Sequence, residues 1–142
     1  MDAQERSRIG AALREFAEAR LNAPFYAADC THRFSLCVCQ GCDGVAWELS
    51  VDRHLGDAPG DFLGVVQATC DACLKAVTLL SITSPGREAG RSEPERPKCD
   101  CGSRVFYAGT CDRWEDWGFF DEGTMVAMCG ACGSLRVVVD TD

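Results

Sequence analysis

Histidine is scarce in this chain of 142 residues: His32 and His54 are the only two. A Cys/His nucleophile pair therefore has little to build on, and neither histidine has an evident orienting group. His54, in a Gly/Asp stretch, reads as a solvated turn residue rather than a ligand or a base. The G-x-S-x-G, H-E-x-x-H and phosphate-loop patterns are missing, so no catalytic residue is assigned and no enzyme is expected. No apolar run approaches the roughly 20 residues that cross a bilayer, so no membrane association is expected. The opening residues 1–6 are charged and lack the apolar centre of a secretory signal. Positive charge is also in deficit: 14 Lys and Arg stand against 22 Asp and Glu, a formal net charge of −8. A nucleic-acid binder needs a basic face to displace counterions from phosphates, and neither half of the chain offers one. The acidity favours a protein partner, one with a basic surface.

What the chain has in plenty is cysteine, eleven in all. In a secreted chain these would suggest disulfides, but an odd count fits a closed disulfide framework poorly. The expectation is a cytoplasmic protein with reduced thiols and bound metal. Close-set pairs separated by a long gap are the signature of a tetrahedral site of four thiolates. Cys39 and Cys42 are answered by Cys70 and Cys73. Cys99 and Cys101 are answered by Cys129 and Cys132. The gaps Cys42–Cys70 and Cys101–Cys129 are both 27 residues. A shift of 59 places Cys42 on Cys101, Cys70 on Cys129, Cys73 on Cys132 and Trp47 on Phe106. The chain is two copies of one metal-clipped unit. Cys37-Val38-Cys39 is a second candidate knuckle, so the choice among Cys37, Cys39 and Cys42 is not forced. Cys39 and Cys42 are preferred for their C-x-x-C spacing and because Cys42 keeps the equal gap. Cys30, Cys37 and Cys111 are left over. Cys30 and Cys37 either form a third, partial site with His32 or are buried small hydrophobes, the latter being favoured.

Residues 1–29 are expected to form a helix and lead-in, 30–83 the first unit, 84–97 a flexible linker, and 98–142 the second unit. Ile9, Leu13, Phe16 and Leu21, with Ala12 and Ala17, make a narrow apolar stripe over 3–21 at helical spacing. That helix either packs on the first metal unit or docks a partner. Strands are expected at 34–38, 45–51, 62–69, 75–83, 104–108, 124–128 and 134–139. The linker has three prolines, mixed charge and no large apolar side chain. Between the strands of the second unit, Trp114, Trp117, Phe119 and Phe120 sit among acids. They are either a partner-binding loop of the kind that anchors protein interfaces or aromatics that complete a thin core.

On these paired cysteines, and on Gly102 and Gly133 that follow two of them, the chain resembles the zinc-ribbon (rubredoxin-like) superfamily as two tandem ribbons. The resemblance covers roughly residues 34–83 and 96–140. It implies a small, mainly β protein: a three-stranded antiparallel sheet per unit, the metal between two knuckles, and here an N-terminal α-helix in front. There are departures. Cys99-Asp100-Cys101 has one intervening residue where two are usual, so that turn must be tighter, and Asp43 and Leu74 stand where the second copy has glycine. Two structural Zn²⁺ ions are the expected cofactors, because closed all-thiolate sites in reduced cytosol are usually zinc. Iron in an electron-transfer site is the alternative. Units of about 50 residues bury too little apolar surface to fold without a staple. The leading functional expectation is a non-catalytic adaptor or accessory subunit, with edge strands open to strand addition. A transcription-associated nucleic-acid binder and a rubredoxin-like electron carrier are the other readings. The partner, the oligomeric state, and whether the ribbons pack together are left open.

Overall fold

The computed structural model describes residues 2–21, 30–55, 62–82, 95–115 and 120–140. One helix, α1 (Ala3–Leu21), precedes seven strands: β1 (Cys30–Leu36), β2 (Ala46–Leu55), β3 (Phe62–Cys70), β4 (Ala76–Ile82), β5 (Val105–Glu115), β6 (Phe120–Cys129) and β7 (Leu135–Asp140). All pair antiparallel in one sheet of order β4-β3-β2-β5-β6-β7, with β1 added beside β5. Each unit thus supplies three strands, β2–β4 and β5–β7, and the protein is small and mainly β.

The shift of 59 holds in the backbone. It carries the β2, β3 and β4 ranges onto those of β5, β6 and β7 to within a residue or two. Each unit has a bulge in its last hairpin, at Val66/Gln67 and at Met125/Val126, which are the same place in the repeat. A bulge admits one extra residue and tightens the local twist. It explains why consecutive residues Val138 and Val139 both reach the core.

The two units pack together. β2 meets β5 through Ala46↔Tyr107, Trp47↔Phe106 and Glu48↔Val105. Trp47 faces its own repeat equivalent, so the seam runs about a local two-fold axis. The Asp71 N–H donates to the Ala46 carbonyl at 3.0 Å, and the Gly130 N–H donates to the Val105 carbonyl at 2.9 Å. These bonds are related by the same axis. β1, the knuckle at 37–45 and β2 follow one line along β5: Leu36 pairs with Gly109, the Cys37 N–H donates to the Ala108 carbonyl, and Ala46 resumes opposite Tyr107. Of the expected linker only residues 95–97 are described. There Glu95 exchanges both backbone hydrogen bonds with Val51, each 2.7 Å.

Alternation on the strands sorts side chains into two clusters. Trp47, Leu49, Val51, Val66 and Ala68 of the first unit join Phe106, Ala108, Met125, Ala127, Val138 and Val139 of the second in one buried core. On the opposite face of the second unit, Ile9, Leu13 and Ala17 of α1 cover Cys111 and Val126, with Phe34, Leu36, Tyr107, Met128 and Val137 around them. Asp2 caps the helix by accepting from the Glu5 N–H at 2.7 Å, and Arg14 pairs with Glu18 at 3.2 Å on the exposed side. The expectation that the helix packs on the first unit, residues 30–83, holds only at β1 and the first knuckle; its main seat is on β5 and β6 of the second. The reason is chemical. At the positions equivalent to Tyr107, Cys111, Val126, Met128 and Val137, the first unit has Glu48, Asp52, Gln67, Thr69 and Thr78. A polar sheet face gives an apolar helix nothing to bury. Beneath the helix, the Phe34 ring edge abuts Gly109, where a Cβ would come within 2.5 Å of its Cζ and 2.6 Å of its Cε2. Among the described residues, no helix is long and apolar enough to cross a membrane.

Candidate metal centres

Each centre is made from two knuckles. A knuckle begins where a cysteine N–H donates to a carbonyl beyond the turn: Cys39 to Gly44 at 2.7 Å, Cys70 to Lys75 at 2.9 Å and Cys129 to Ser134 at 2.9 Å. In these three the cysteine carbonyl accepts from the residue four places on, Asp43, Leu74 or Gly133. The C-x-C knuckle is one residue shorter throughout. The Cys99 N–H reaches Ser103, and the Cys99 carbonyl accepts from Gly102, each at 2.8 Å. All four turns close on a residue of positive φ: Asp43 at 62°, Leu74 at 64°, Gly102 at 98° and Gly133 at 76°. That conformation turns the chain back under the sulfurs; it is comfortable for glycine, tolerated by aspartate and strained for leucine.

The knuckles bring Cys39, Cys42, Cys70 and Cys73 together, and likewise Cys99, Cys101, Cys129 and Cys132. Within each set the sulfurs all lie within 4.8 Å of one another. The sulfur contacts Cys39–Cys73, Cys42–Cys70, Cys99–Cys132 and Cys101–Cys129 are 3.6, 3.5, 3.5 and 3.5 Å. A disulfide would be ~2.05 Å. Four sulfurs at ~2.3 Å from a central Zn²⁺ would be roughly 3.8 Å apart. The geometry fits a tetrahedral ion and not a bridge. Cys39, Cys70, Cys99 and Cys129 are buried against the core, while Cys42, Cys73, Cys101 and Cys132 form the exposed rim.

The electrostatics agree. Backbone N–H groups of Gly41 and Cys42 hold the Cys39 thiol down to about 7. The N–H of Cys132, ahead of that of Ala131, holds Cys129 down to about 6, through contacts of 3.5 and 3.4 Å. The neighbours go the other way. Gly44 pulls Cys42 down, yet the thiol of Cys70, burial and Cys73 push it up to about 12. Cys132 also rises to about 12 despite the Ser134 N–H, through Cys99 and Cys129. Cys101 is raised by Cys129 and Cys99 against the pull of Ser103. Sulfurs this close resist ionising together unless a cation sits among them. The two tetrads are therefore sites positioned for metal, and the N–H groups are the outer shell that shares the thiolate charge.

Cys37 stands outside the first tetrad. Its thiol packs against the core, and burial alone pushes it up to about 12. Its carbonyl accepts from Trp47 Nε1 at 3.0 Å. Cys111 is buried under α1. The side chains of Cys30, His32 and His54 lie outside the described residues, and so does the proposed third site. Trp114 and Phe120 oppose one another in the β5–β6 ladder. Trp117 and Phe119 lie outside the described residues.

Sequence reasoning missed a cationic cavity of about 200 Å³ lined by Glu95, Arg96, Pro97, Lys98, Arg136, Val137 and Val138. Arg136 is set there by two contacts: its guanidinium lies 5.7 Å over the Phe106 ring, and its Nη1 donates to the Lys98 carbonyl at 3.4 Å. No linear signal joins residues 38 apart. Also missed was Arg6, whose Nη2 donates to the Asp43 carbonyl at 2.6 Å and ties α1 to the first knuckle. No protein-family model, curated protein or solved structure matches the chain.

Proposed function

We propose that this chain is a non-catalytic zinc-ribbon protein that binds two structural Zn²⁺ ions and acts as a protein–protein adaptor or accessory subunit. The observation that carries the metal assignment is the closure of two sulfur tetrads at contact distances suited to a tetrahedral ion. Four thiolates fill the coordination shell and leave no position for a substrate, which suits a structural rather than a catalytic ion. Zinc is preferred over iron because neither unit has the two matched C-x-x-C-Gly knuckles of an electron carrier. The adaptor role is supported by the net charge of −8, which suits a basic protein surface and repels a phosphate backbone. Elemental analysis of protein purified without added metal tests the first part. Two zinc per chain and no visible absorption are expected, and a coloured iron–thiolate protein overturns the assignment. Affinity capture from the native host, with the bound protein identified and shown to bind the purified chain directly, tests the second.

One observation favours nucleic acid as a second reading: Arg96, Lys98 and Arg136 converge on one cavity. Steeply salt-dependent binding to DNA or RNA, weakened by Arg136→Ala, would promote it over the adaptor.

A further inference from the structure

The two units differ at their outer strands. Among the described residues, β4 and β7 end the sheet on opposite sides. In β7, Val138 and Val139 are 4% and 2% exposed. Their equivalents in β4 are the larger Leu79 and Leu80, and these, with Val77, are only partly buried against the common core. β4 reads Ala-Val-Thr-Leu-Leu-Ser-Ile, seven residues without a charge, a proline or a glycine. β7 carries Arg136 and Asp140. Edge strands are normally defended by charge, proline or a bulge; β4 has no charge or proline, and the bulge at Leu79, between Thr78 and Leu80, is the single device it carries. Immediately before it stands Leu74, 74% exposed and held at φ 64°, where the second unit has Gly133. A large apolar side chain kept in solvent on a strained backbone at the head of an uncharged edge marks a contact surface.

We infer that β4 is the interface through which two copies of this chain associate, their β4 strands pairing antiparallel so that one sheet runs through both. The occupant is a second copy because the edge is neutral. About a two-fold axis, a strand meets itself, and any charge near the axis meets its like. In a chain of net charge −8, β4 is an uncharged strand on which self-pairing brings no repulsion at the contact. A foreign strand would be selected by complementary charge, which β4 does not offer. Pairing completes the outer row of backbone hydrogen bonds and closes Val77, Leu79 and Leu80 over the end of the core. The fold already joins its own halves in this way, at the β2–β5 seam.

The test is sedimentation velocity of the full, zinc-loaded chain over a concentration series. A monomer–dimer equilibrium is expected. Thr78→Lys with Ser81→Lys, both exposed on β4, raises the dimer dissociation constant by about tenfold or more. Ser134→Lys, which gives the second unit the residue the first has at Lys75, leaves it unchanged. A wild-type chain that stays monomeric at every concentration overturns the inference, as does a dimer untouched by the β4 lysines in a folded, zinc-replete variant. Amide hydrogen exchange on the wild type is independent of any variant's folding. Protection of β4 that rises with concentration, with β7 constant, supports the interface; concentration-independent β4 exchange refutes it.

Discussion

The four residues that close the knuckles share one backbone conformation and differ in side chain, which makes them an internal experiment on strain. An L-residue in the left-handed region costs about 1–2 kcal/mol. Glycine avoids that strain but loses about 0.5–1 kcal/mol more conformational entropy on folding. Leu74 is 74% exposed, so its replacement forfeits little burial. Leu74→Gly is therefore expected to stabilise the zinc-loaded protein by about 0.5–1 kcal/mol. The mirror change is Gly133→Ala. A Cβ there meets nothing within 4 Å, so the change isolates the backbone and should destabilise by about 1 kcal/mol. On the proposed zinc reading the knuckle is organised around its ion, so the same free energy appears in metal affinity. Leu74→Gly should tighten the first site roughly two- to fivefold and leave the second site alone. The assays are urea unfolding at buffered free zinc, at a concentration where the chain is monomeric, and competition with a chromogenic chelator. If Leu74→Gly weakens the protein while Gly133→Ala is neutral, the strain argument is wrong.

Removing metal with a strong chelator should abolish the sheet signature in circular dichroism, since a structural zinc supplies on the order of 10 kcal/mol; an unchanged thermal transition would show that the sulfurs hold nothing essential. Gly109→Ala should cost about 1–3 kcal/mol, because a Cβ there sits 2.5 Å from the Phe34 ring; in a Phe34→Ala background most of that penalty should vanish, and an equal penalty in both would deny the contact. Leu13→Ala, at a fully buried position, should cost about 2–5 kcal/mol without altering zinc content; no change in the unfolding midpoint would mean the helix is not docked.

Much of this was legible in the residues. The spacing of Cys42, Cys70, Cys101 and Cys129 disclosed a duplicated unit, because four sulfurs must arrive at one point and spacing is what delivers them. Asp43 and Leu74, aligned on Gly102 and Gly133, marked the turns that needed glycine and lacked it. Other features stayed hidden. β5 continues through Arg113 and β6 begins at Phe120, although Arg113–Glu122 reads as a loop; charged residues tolerate a strand whose pairing is decided by neighbours on both sides. β1 joins the second unit, which local alternation in Phe34 and Leu36 could not reveal because alternation names a face and not a partner. The seat of α1 was recoverable in principle. Setting Tyr107, Val126, Met128 and Val137 against Glu48, Gln67, Thr69 and Thr78 shows which unit has an apolar back.

Because Trp47 and Phe106 lie at the centre of a core drawn from both repeats, neither half owns its interior. On the proposed reading, vacating one zinc site exposes apolar surface belonging to the other half, so a chain carrying a single zinc is no half-intact protein. Loading should look all-or-none, with singly occupied molecules rare in native mass spectra at substoichiometric zinc.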